Sequence, residues 1–397
     1  MNLSIKWLAI AAATVAIAGC NGGSTASSTT GDTGGSTPSG DTIKVGLVAS
    51  INGALKPWGV DSQSGAQLAA DEINAAGGVN GKKIELIVED SNSTPEQGKT
   101  AAERLIAKGC VAVVGEVASG ITAQIANAAA EKKIPVVAVG ATKTDLPGIG
   151  DYVFRVCYTD DLQGPVMATF AYEALGLRKV ALVTDNKQPY STYLSKTFRD
   201  SFVKQGGQII DEQFYESGNT QFSGLLTNLK AKNPDGLFLS GYFTEVGPLV
   251  RQAKEAGLNA KYLGGDGWDS AEILTSGGDA ILGSYFCNHY NNQEDRPEVK
   301  GFLDKWKAKY GGVPGTTMGA LGYDAIALVG DALKRAKSPT SADVLTAISE
   351  TENFAGVSGS ITLKGMGGNP PKRALVVELQ KGGQIFAKAY EVTDVKK

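Results

Sequence analysis

The chain has a single histidine and only four cysteines among its 397 residues. Zinc sites and hydrolytic triads draw heavily on these two residue types, so most metal and nucleophile chemistry is excluded. Charge of one sign is also missing, because 38 Lys and Arg residues against 41 Asp and Glu residues give a net charge of −3. No sequence-wide positive field exists to hold nucleic acid. We expect no catalytic residue, no metal, no cofactor and no nucleic-acid partner.

The glycine motifs that bind nucleotides are absent as well. No G-x-G-x-x-G is completed; the pair Gly265 and Gly267, for example, is followed by Ser270. No phosphate-binding G-x-x-x-x-G-K-[ST] and no G-x-S-x-G occurs. His289 would have to serve any triad alone, and its place in the polar stretch after an apolar run favours a loop or hinge.

The amino terminus has no apolar run long enough to cross a bilayer. Residues 7–18 form a short apolar stretch after Lys6, which is typical of a signal peptide, here residues 1–19. The stretch ends in Ile17-Ala18-Gly19-Cys20, which resembles a bacterial lipobox, whose cysteine thiol receives diacylglycerol. Residues 20–41 continue as a Gly/Ser/Thr-rich stretch, which predicts a flexible tether. We expect a protein of the cell envelope, periplasmic or extracytoplasmic, attached to a bacterial membrane through Cys20.

From Ile43 onward the pattern alternates strands and helices, which predicts parallel sheets flanked by helices. The first series has strands at 43–48, 84–88, 111–114 and 134–139 and helices at 61–76, 95–108 and 121–132. The second has strands at 180–183, 208–214 and 236–239 and helices at 190–205, 222–232 and 245–256. The two series predict an α/β fold with two similar lobes. Later helices at 297–310 and 317–336 and strands at 374–377 and 385–390 are expected to complete these lobes.

Three cysteines remain besides Cys20. An exported protein could oxidise two of them and leave one over. Cys157 and Cys287 both close short apolar strands and are the better candidates for a pair, with Cys110 left over. Buried free thiols are the alternative.

Polar and aromatic residues follow the predicted strand ends, where open α/β sheets bind ligands. Ser119 stands at a helix N-terminus, a place that holds carboxylates, and Thr142 offers a second hydroxyl. The second series supplies the carboxylate of Asp266. Each has an ordinary structural explanation, but a donor cluster opposite a carboxylate is what a zwitterion requires. The aromatic residues expected at the rim are Trp58, Tyr190 and Tyr242.

From about Ile43 to its end the chain resembles the type I periplasmic substrate-binding proteins, which deliver branched-chain amino acids and related compounds to ABC transporters. The motifs that carry the resemblance are GAQLAADEINAAGG (65–78), the 115–124 segment, FRV (154–156), QGP (163–165) and AKEAGL (253–258). The resemblance implies two lobes, 42–158 with 289–363 and 161–286 with 366–397. It also implies a hinge of three crossings near Tyr158, Cys287 and Lys364.

The resemblance further implies a role for each site residue. Ser119 and Thr142 would hold the ligand's α-carboxylate, while the Gly140 carbonyl and Asp266 would meet its ammonium. Aromatic residues would close over the ligand: Trp58, Tyr190 and Tyr242. The partners would be a small amino acid and the permease subunits of an ABC transporter. The amino acid would bind one lobe and then stabilise the closed form through contacts with both lobes.

The chain departs from the branched-chain pattern at several of these positions. Asp266 is one methylene shorter than the usual glutamate, and Trp58 replaces a tyrosine. Ala118 replaces a cysteine, and Met318 replaces an aromatic residue of the side-chain pocket. The amino-acid backbone site is thus better supported than the choice of side chain. An amide, urea or aromatic-acid receptor of the same fold is the alternative, and an exported hydrolase is the alternative from another class.

Overall fold

The computed structural model describes residues 42–394 of the chain. The predicted signal peptide, Cys20 and the tether lie outside the described residues, so their assignments stay predictions. Within residues 42–394, no helix combines the length and the apolar character that a membrane crossing requires.

The described strands form two main sheets and one hairpin. In chain order they are β1 (Thr42–Ala49), β2 (Lys83–Asp90), β3 (Ala112–Val114), β4 (Val136–Ala138), β5 (Val153–Arg155), β6 (Lys179–Asp185), β7 (Gln208–Tyr215), β8 (Gly236–Leu239), β9 (Lys261–Gly264), β10 (Tyr285–Asn288), β11 (Phe354–Gly356), β12 (Gly359–Ile361), β13 (Ala374–Gln380) and β14 (Gly383–Tyr390). The first sheet, β2-β1-β3-β4-β5, is parallel throughout. The second, β14-β13-β10-β9-β8-β6-β7, is parallel from β10 to β7 and antiparallel at β13 and β14.

Helices cover the two sheets. In chain order they are α1 (Lys56–Ala75), α2 (Pro95–Ala107), α3 (Ser119–Ala129), α4 (Asp160–Thr169), α5 (Pro189–Lys204), α6 (Ser223–Lys232), α7 (Phe243–Glu255), α8 (Glu272–Gly277), α9 (Pro297–Tyr310), α10 (Met318–Arg335) and α11 (Ser341–Ser349). Helices α1 to α3 and α9 to α11 belong with the first sheet, and α4 to α8 with the second. The predicted fold class, two α/β lobes with mostly parallel sheets, is confirmed.

The chain passes between the lobes in three short segments. Residues 156–159 lead from β5 to α4, residues 289–296 lead from β10 to α9, and residues 362–373 lead from the β11–β12 hairpin to β13. The late helices therefore complete the first lobe and the late strands complete the second.

Helices α1 and α10 are held close together by glycines at their crossing. A Cβ atom on Gly65 would overlap the carbonyl oxygen of Gly319, and one on Gly322 would overlap the carbonyl oxygen of Ser62. Gly65 opens the sequence motif 65–78, so this part of the motif serves helix packing.

Several elements differ from the sequence-based prediction. Helix α1 begins at Lys56 instead of Asp61, because Pro57 fits the first turn, where no N–H donor is needed. Helix α4 was not predicted; it contains Pro165 and continues into a π-helical turn, Phe170–Ala174. Strands β11 and β12 were not predicted either, because each is only three residues long, which leaves little periodicity to detect.

The predicted disulfide between Cys157 and Cys287 is wrong, and the alternative of buried free thiols is correct. Cys110, Cys157 and Cys287 are buried free thiols. The Cys157 thiol lies 3.4 Å from the Ala141 carbonyl oxygen, and burial raises its pKa to about 12. These thiols act as small apolar core residues.

Candidate functional site

The two lobes enclose a small cavity that each lines with four residues. The lining residues are Trp58, Val117, Gly140 and Met318 from the first lobe and Tyr190, Tyr242, Asp266 and Gly267 from the second. The space between these residues is small. All eight residues are buried. A solute therefore reaches this cavity only when the lobes separate.

Six of the nine residues expected to bind a ligand line this cavity: Trp58, Gly140, Tyr190, Tyr242, Asp266 and Met318. Ala118, Ser119 and Thr142 are buried beside it without lining it. Val117 and Gly267 line it and were not predicted, since an apolar residue and a glycine give no chemical signal in a sequence.

Asp266 is the one ionisable carboxyl group among the lining residues. It begins a short 3₁₀ helix, Asp266–Trp268, directly after β9 and Gly265. The Tyr190 hydroxyl donates to its Oδ1 atom at 2.9 Å, and its backbone N–H donates to Gln163 Oε1 at 2.6 Å. The carboxylate is thus held in one orientation, 4 % exposed, and faces the cavity.

Three aromatic rings form a connected wall. The rings of Tyr190 and Tyr242 stack at 5.3 Å, and the Trp58 ring meets Tyr242 edge-on at 5.0 Å. The indole N–H of Trp58 donates to the backbone carbonyl of Asp269 at 2.7 Å. Trp58 belongs to the first lobe, whereas Tyr190, Tyr242 and Asp269 belong to the second, so this wall also joins the lobes.

Burial keeps the tyrosine hydroxyls of this wall neutral. The pKa of Tyr190 and that of Tyr242 are raised well above the usual value by burial and then by the nearby charge of Asp266. The Tyr242 hydroxyl is buried and has no hydrogen-bond partner among the described residues. It is therefore available as a donor to a molecule in the cavity.

The N-terminus of α3 directly follows Val117, which lines the cavity. Ala118 is the N-cap residue and Ser119 the first helical residue, so the first-turn N–H groups have no intrahelical partner. The Ser119 hydroxyl accepts the backbone N–H of Lys143 at 3.2 Å and keeps its own proton for donation. The Thr142 hydroxyl is buried, and its one polar neighbour of note is the carboxyl group of Asp160. This end of the site offers donors to an anion.

Glu116, just before α3, was not singled out in the sequence. Its Oε2 atom accepts the backbone N–H groups of Val117 and Ala118 at 2.7 and 2.9 Å. Its Oε1 atom accepts the hydroxyls of Ser50 and Ser91, which follow β1 and β2. Burial raises the pKa of this carboxyl group. Glu116 therefore fixes the loop that precedes α3. Because protein donors engage both of its oxygens, we do not assign it a contact with the ligand.

Asp160 lies behind the cavity at the start of α4. Its Oδ1 atom accepts the side-chain N–H of Gln163 at 2.9 Å, and the same Gln163 side chain accepts the N–H of Asp266. Burial, reinforced by the charge of Asp266, raises the pKa of Asp160 to about 8. Asp160 is therefore mostly neutral at pH 7.

Residues 42–384 match the family model described as "Periplasmic binding protein". The chain belongs to the periplasmic binding protein family. The resemblance inferred from the sequence motifs is thereby confirmed.

Curated and solved members of this family cover nearly the whole folded chain. The Leu/Ile/Val-binding protein BraC3 of Rhizobium johnstonii is 30% identical over 347 residues, 87% of this chain and 93% of that protein. The crystal structure of a leucine-binding protein LivK from Thermotoga maritima is 34% identical, with a TM-score of 0.84, and covers 89% of this chain and 100% of that one. The branched-chain amino acid substrate-binding protein LivJ from Streptococcus pneumoniae, solved with isoleucine, is 32% identical, with a TM-score of 0.81, and covers 88% and 99%.

Proposed function

We propose that this periplasmic binding protein captures an aliphatic α-amino acid, most simply a branched-chain one, in the cavity between its lobes. The observation that carries the proposal is the carboxylate of Asp266, held on one wall of a small and otherwise uncharged cavity. A buried anion of this kind is stabilised by a cation placed against it, and the α-ammonium of an amino acid supplies one.

The remaining groups fit the other parts of an amino acid. The hydroxyls of Ser119 and Thr142 and the first turn of α3 would receive the α-carboxylate after a small movement of the lobe that carries them. The Gly140 carbonyl would share the ammonium with Asp266.

The apolar part of the cavity would receive the side chain. Val117 and Met318 from the first lobe and the ring of Trp58 offer hydrocarbon surface and no charge. Met318 can change rotamer to fit side chains of different shape. The relatives named for leucine, isoleucine and valine support an aliphatic side chain.

The ligand would act by stabilising the form in which the lobes are closed, since contacts from both lobes exist only there. The closed protein would then present the amino acid to the permease of an ABC transporter, in keeping with the family. No chemical reaction is part of this proposal.

The position of Asp266 argues against the alternative ligands of the same fold. An aromatic acid carries no cation, so its binding would place a second anion near the buried Asp266 carboxylate without adding a positive charge. An amide or urea would offer N–H donors but no charge. These ligands become the favoured ones if Asp266→Ala binds amino acids with undiminished affinity in the following experiment.

The test compares wild-type protein with Asp266→Ala and Asp266→Asn. A thermal-shift screen of the twenty amino acids first identifies the ligand, since ligand at 100 Kd adds about 2.7 kcal/mol to the folded state. Calorimetry should then show a loss of about 30-fold or more in Asp266→Ala, because removing one partner of a buried ion pair costs about 2–5 kcal/mol. Asp266→Asn should fall between.

The melting temperature of the empty protein is the control for this experiment. If the only role of Asp266 is to stabilise the turn in which it lies, Asp266→Ala lowers the melting temperature of the empty protein and leaves its affinity for the ligand unchanged. Undiminished affinity would falsify the ammonium assignment.

We also propose that Cys20 carries a lipid that holds the folded lobes near a bacterial membrane. The sequence Ile17-Ala18-Gly19-Cys20 supports this proposal. Cys20→Ser should abolish acylation and release the protein from washed membranes, as followed by radiolabelled fatty acid and by fractionation. Retention of a processed Cys20→Ser protein in the membrane fraction would contradict the anchor.

A further inference from the structure

The only histidine of the sequence, His289, lies at the start of residues 289–296, the second segment that passes between the lobes. The side chain is fully buried, and its ring stacks on the ring of Tyr158 at 4.1 Å with an interplanar angle of 22°. Tyr158 belongs to residues 156–159, the first crossing segment. The ring is therefore fixed between two of the three connections.

The Nε2 atom of this ring is 3.1 Å from Oδ2 of Asp266. The other carboxylate oxygen, Oδ1, accepts the hydroxyl of Tyr190. Both oxygens of Asp266 are thus oriented by side chains, one from α5 and one from the crossing segment. For an ionised Asp266, the contact is a hydrogen bond only when Nε2 carries the proton.

Among the described residues, the contact with Asp266 is the one hydrogen bond that the structure gives to the ring nitrogens of His289. The nearby carboxyl group of Asp269 is engaged by the Thr317 backbone N–H and hydroxyl at 2.6 and 2.7 Å and by Gln384 at 2.6 Å. The Nδ1 atom of His289 is buried and has no hydrogen-bond partner within residues 42–394. The ring therefore interacts with polar groups through Nε2 alone.

We propose that His289 is a positioning residue: it donates its Nε2 proton to Asp266 and holds that carboxylate where the ligand's ammonium must bind. Because the ring is stacked between two crossing segments, the same contact joins the ammonium-binding carboxylate to the hinge. This inference rests on the proposed function for its effect on ligand affinity, but its geometry can be tested without any ligand.

The first experiment uses nuclear magnetic resonance of untagged protein labelled with ¹³C and ¹⁵N in histidine. One imidazole is present, so one set of ring signals is expected. The proposal requires Nε2 to be protonated and its chemical shift to change in Asp266→Asn. A deprotonated Nε2, or a shift that is the same in wild-type protein and Asp266→Asn, would overturn it.

The second experiment measures affinity for L-leucine and for its α-hydroxy analogue, which lacks the ammonium group. His289→Leu keeps much of the volume and removes the donor, whereas His289→Gln can keep an N–H near the position of Nε2. His289→Leu should lower the affinity for L-leucine about 10- to 100-fold and the affinity for the analogue much less. His289→Gln should recover part of the lost affinity for L-leucine.

Tyr290→Phe is the matched control, because it alters the next buried aromatic residue, whose hydroxyl has no partner among the described residues. It should leave the ratio of the two affinities unchanged. An equal loss for L-leucine and the analogue in His289→Leu would mean a purely structural role and would overturn the inference. Failure of the wild-type protein to bind L-leucine, L-isoleucine or L-valine would instead contradict the proposed function, while the resonance experiment would still decide the His289–Asp266 contact.

Discussion

At the scale of single residues, the carboxyl groups near the cavity differ in how their burial is compensated. Glu116 accepts two backbone N–H groups and two hydroxyls. Asp160 accepts the amide of Gln163 through one oxygen, and its other oxygen has no partner among the described residues. The burial of Asp160 is therefore compensated by fewer hydrogen bonds than that of Glu116.

Asp160→Asn tests this difference through pH. The pKa of Asp160 is raised from 3.8 to about 8 by burial and by Asp266. Between these values the folded protein holds a proton that the unfolded chain has lost, so the free energy of unfolding falls as pH rises, by at most about 1.4 kcal/mol per pH unit from this group. The variant should lack this decline and be the more stable protein at pH 8.

Chemical denaturation of the empty proteins at pH 5 and pH 8 provides the measurement. Asp161→Asn, at the exposed neighbouring position, is the control and should follow wild-type protein. If the free energy of unfolding changed by the same amount between pH 5 and pH 8 in wild-type protein and Asp160→Asn, the assignment of Asp160 as a neutral acid would be contradicted.

At the scale of elements, the contact of α1 with α10 depends on the absence of side chains. Gly65 and Gly322 let each helix lie against the backbone of the other. Interiors are packed too densely to absorb an added methyl group at such a point without backbone movement. Because Trp58 is on α1 and Met318 begins α10, this crossing also sets the position of two cavity residues.

Gly65→Ala should therefore lower the free energy of unfolding by about 1–3 kcal/mol, the usual cost of overpacking. The matched control is Gly301→Ala in α9, where an added Cβ atom would meet nothing within 4 Å. That change should raise stability by up to about 1 kcal/mol, because alanine favours a helix. Equal effects of the two substitutions in denaturation experiments would mean that the α1–α10 contact tolerates a side chain.

At the scale of the whole molecule, Asp269 connects the lobes twice. Its backbone carbonyl accepts the indole N–H of Trp58, and its side chain accepts the N–H and hydroxyl of Thr317. Trp58 and Thr317 stand at the starts of α1 and α10 in the first lobe. These contacts exist only when the lobes are together.

Small-angle scattering should detect the corresponding motion. We expect a smaller radius of gyration with ligand than without it, because a ligand that contacts both lobes shifts the equilibrium toward the closed form. Thr317→Val removes the hydroxyl contact with Asp269. The ligand-free variant should therefore have a larger radius of gyration than ligand-free wild-type protein and a lower affinity for the ligand. Tight binding with an unchanged scattering curve would rule out closure.

The sequence by itself determined the alternation of strands and helices in both lobes, the two-lobed fold class and many of the cavity residues. Apolar runs such as Val180–Val183 and the helical spacing after Pro95 are local, so the chain reveals them directly. Parallel strands place their carboxyl ends at one edge, which is why Asp266, Tyr190 and Tyr242 could be selected as a group.

Only the tertiary structure decided which of these groups meet. His289 and Asp266 are 23 positions apart, and no periodic pattern relates a crossing segment to a turn after β9. Val117 and Gly267 line the cavity through backbone placement, which their residue types do not signal. Contacts between lobes depend on how two separately folded sheets pack against each other, and that packing follows from the shape of the whole surface instead of from any local stretch of sequence.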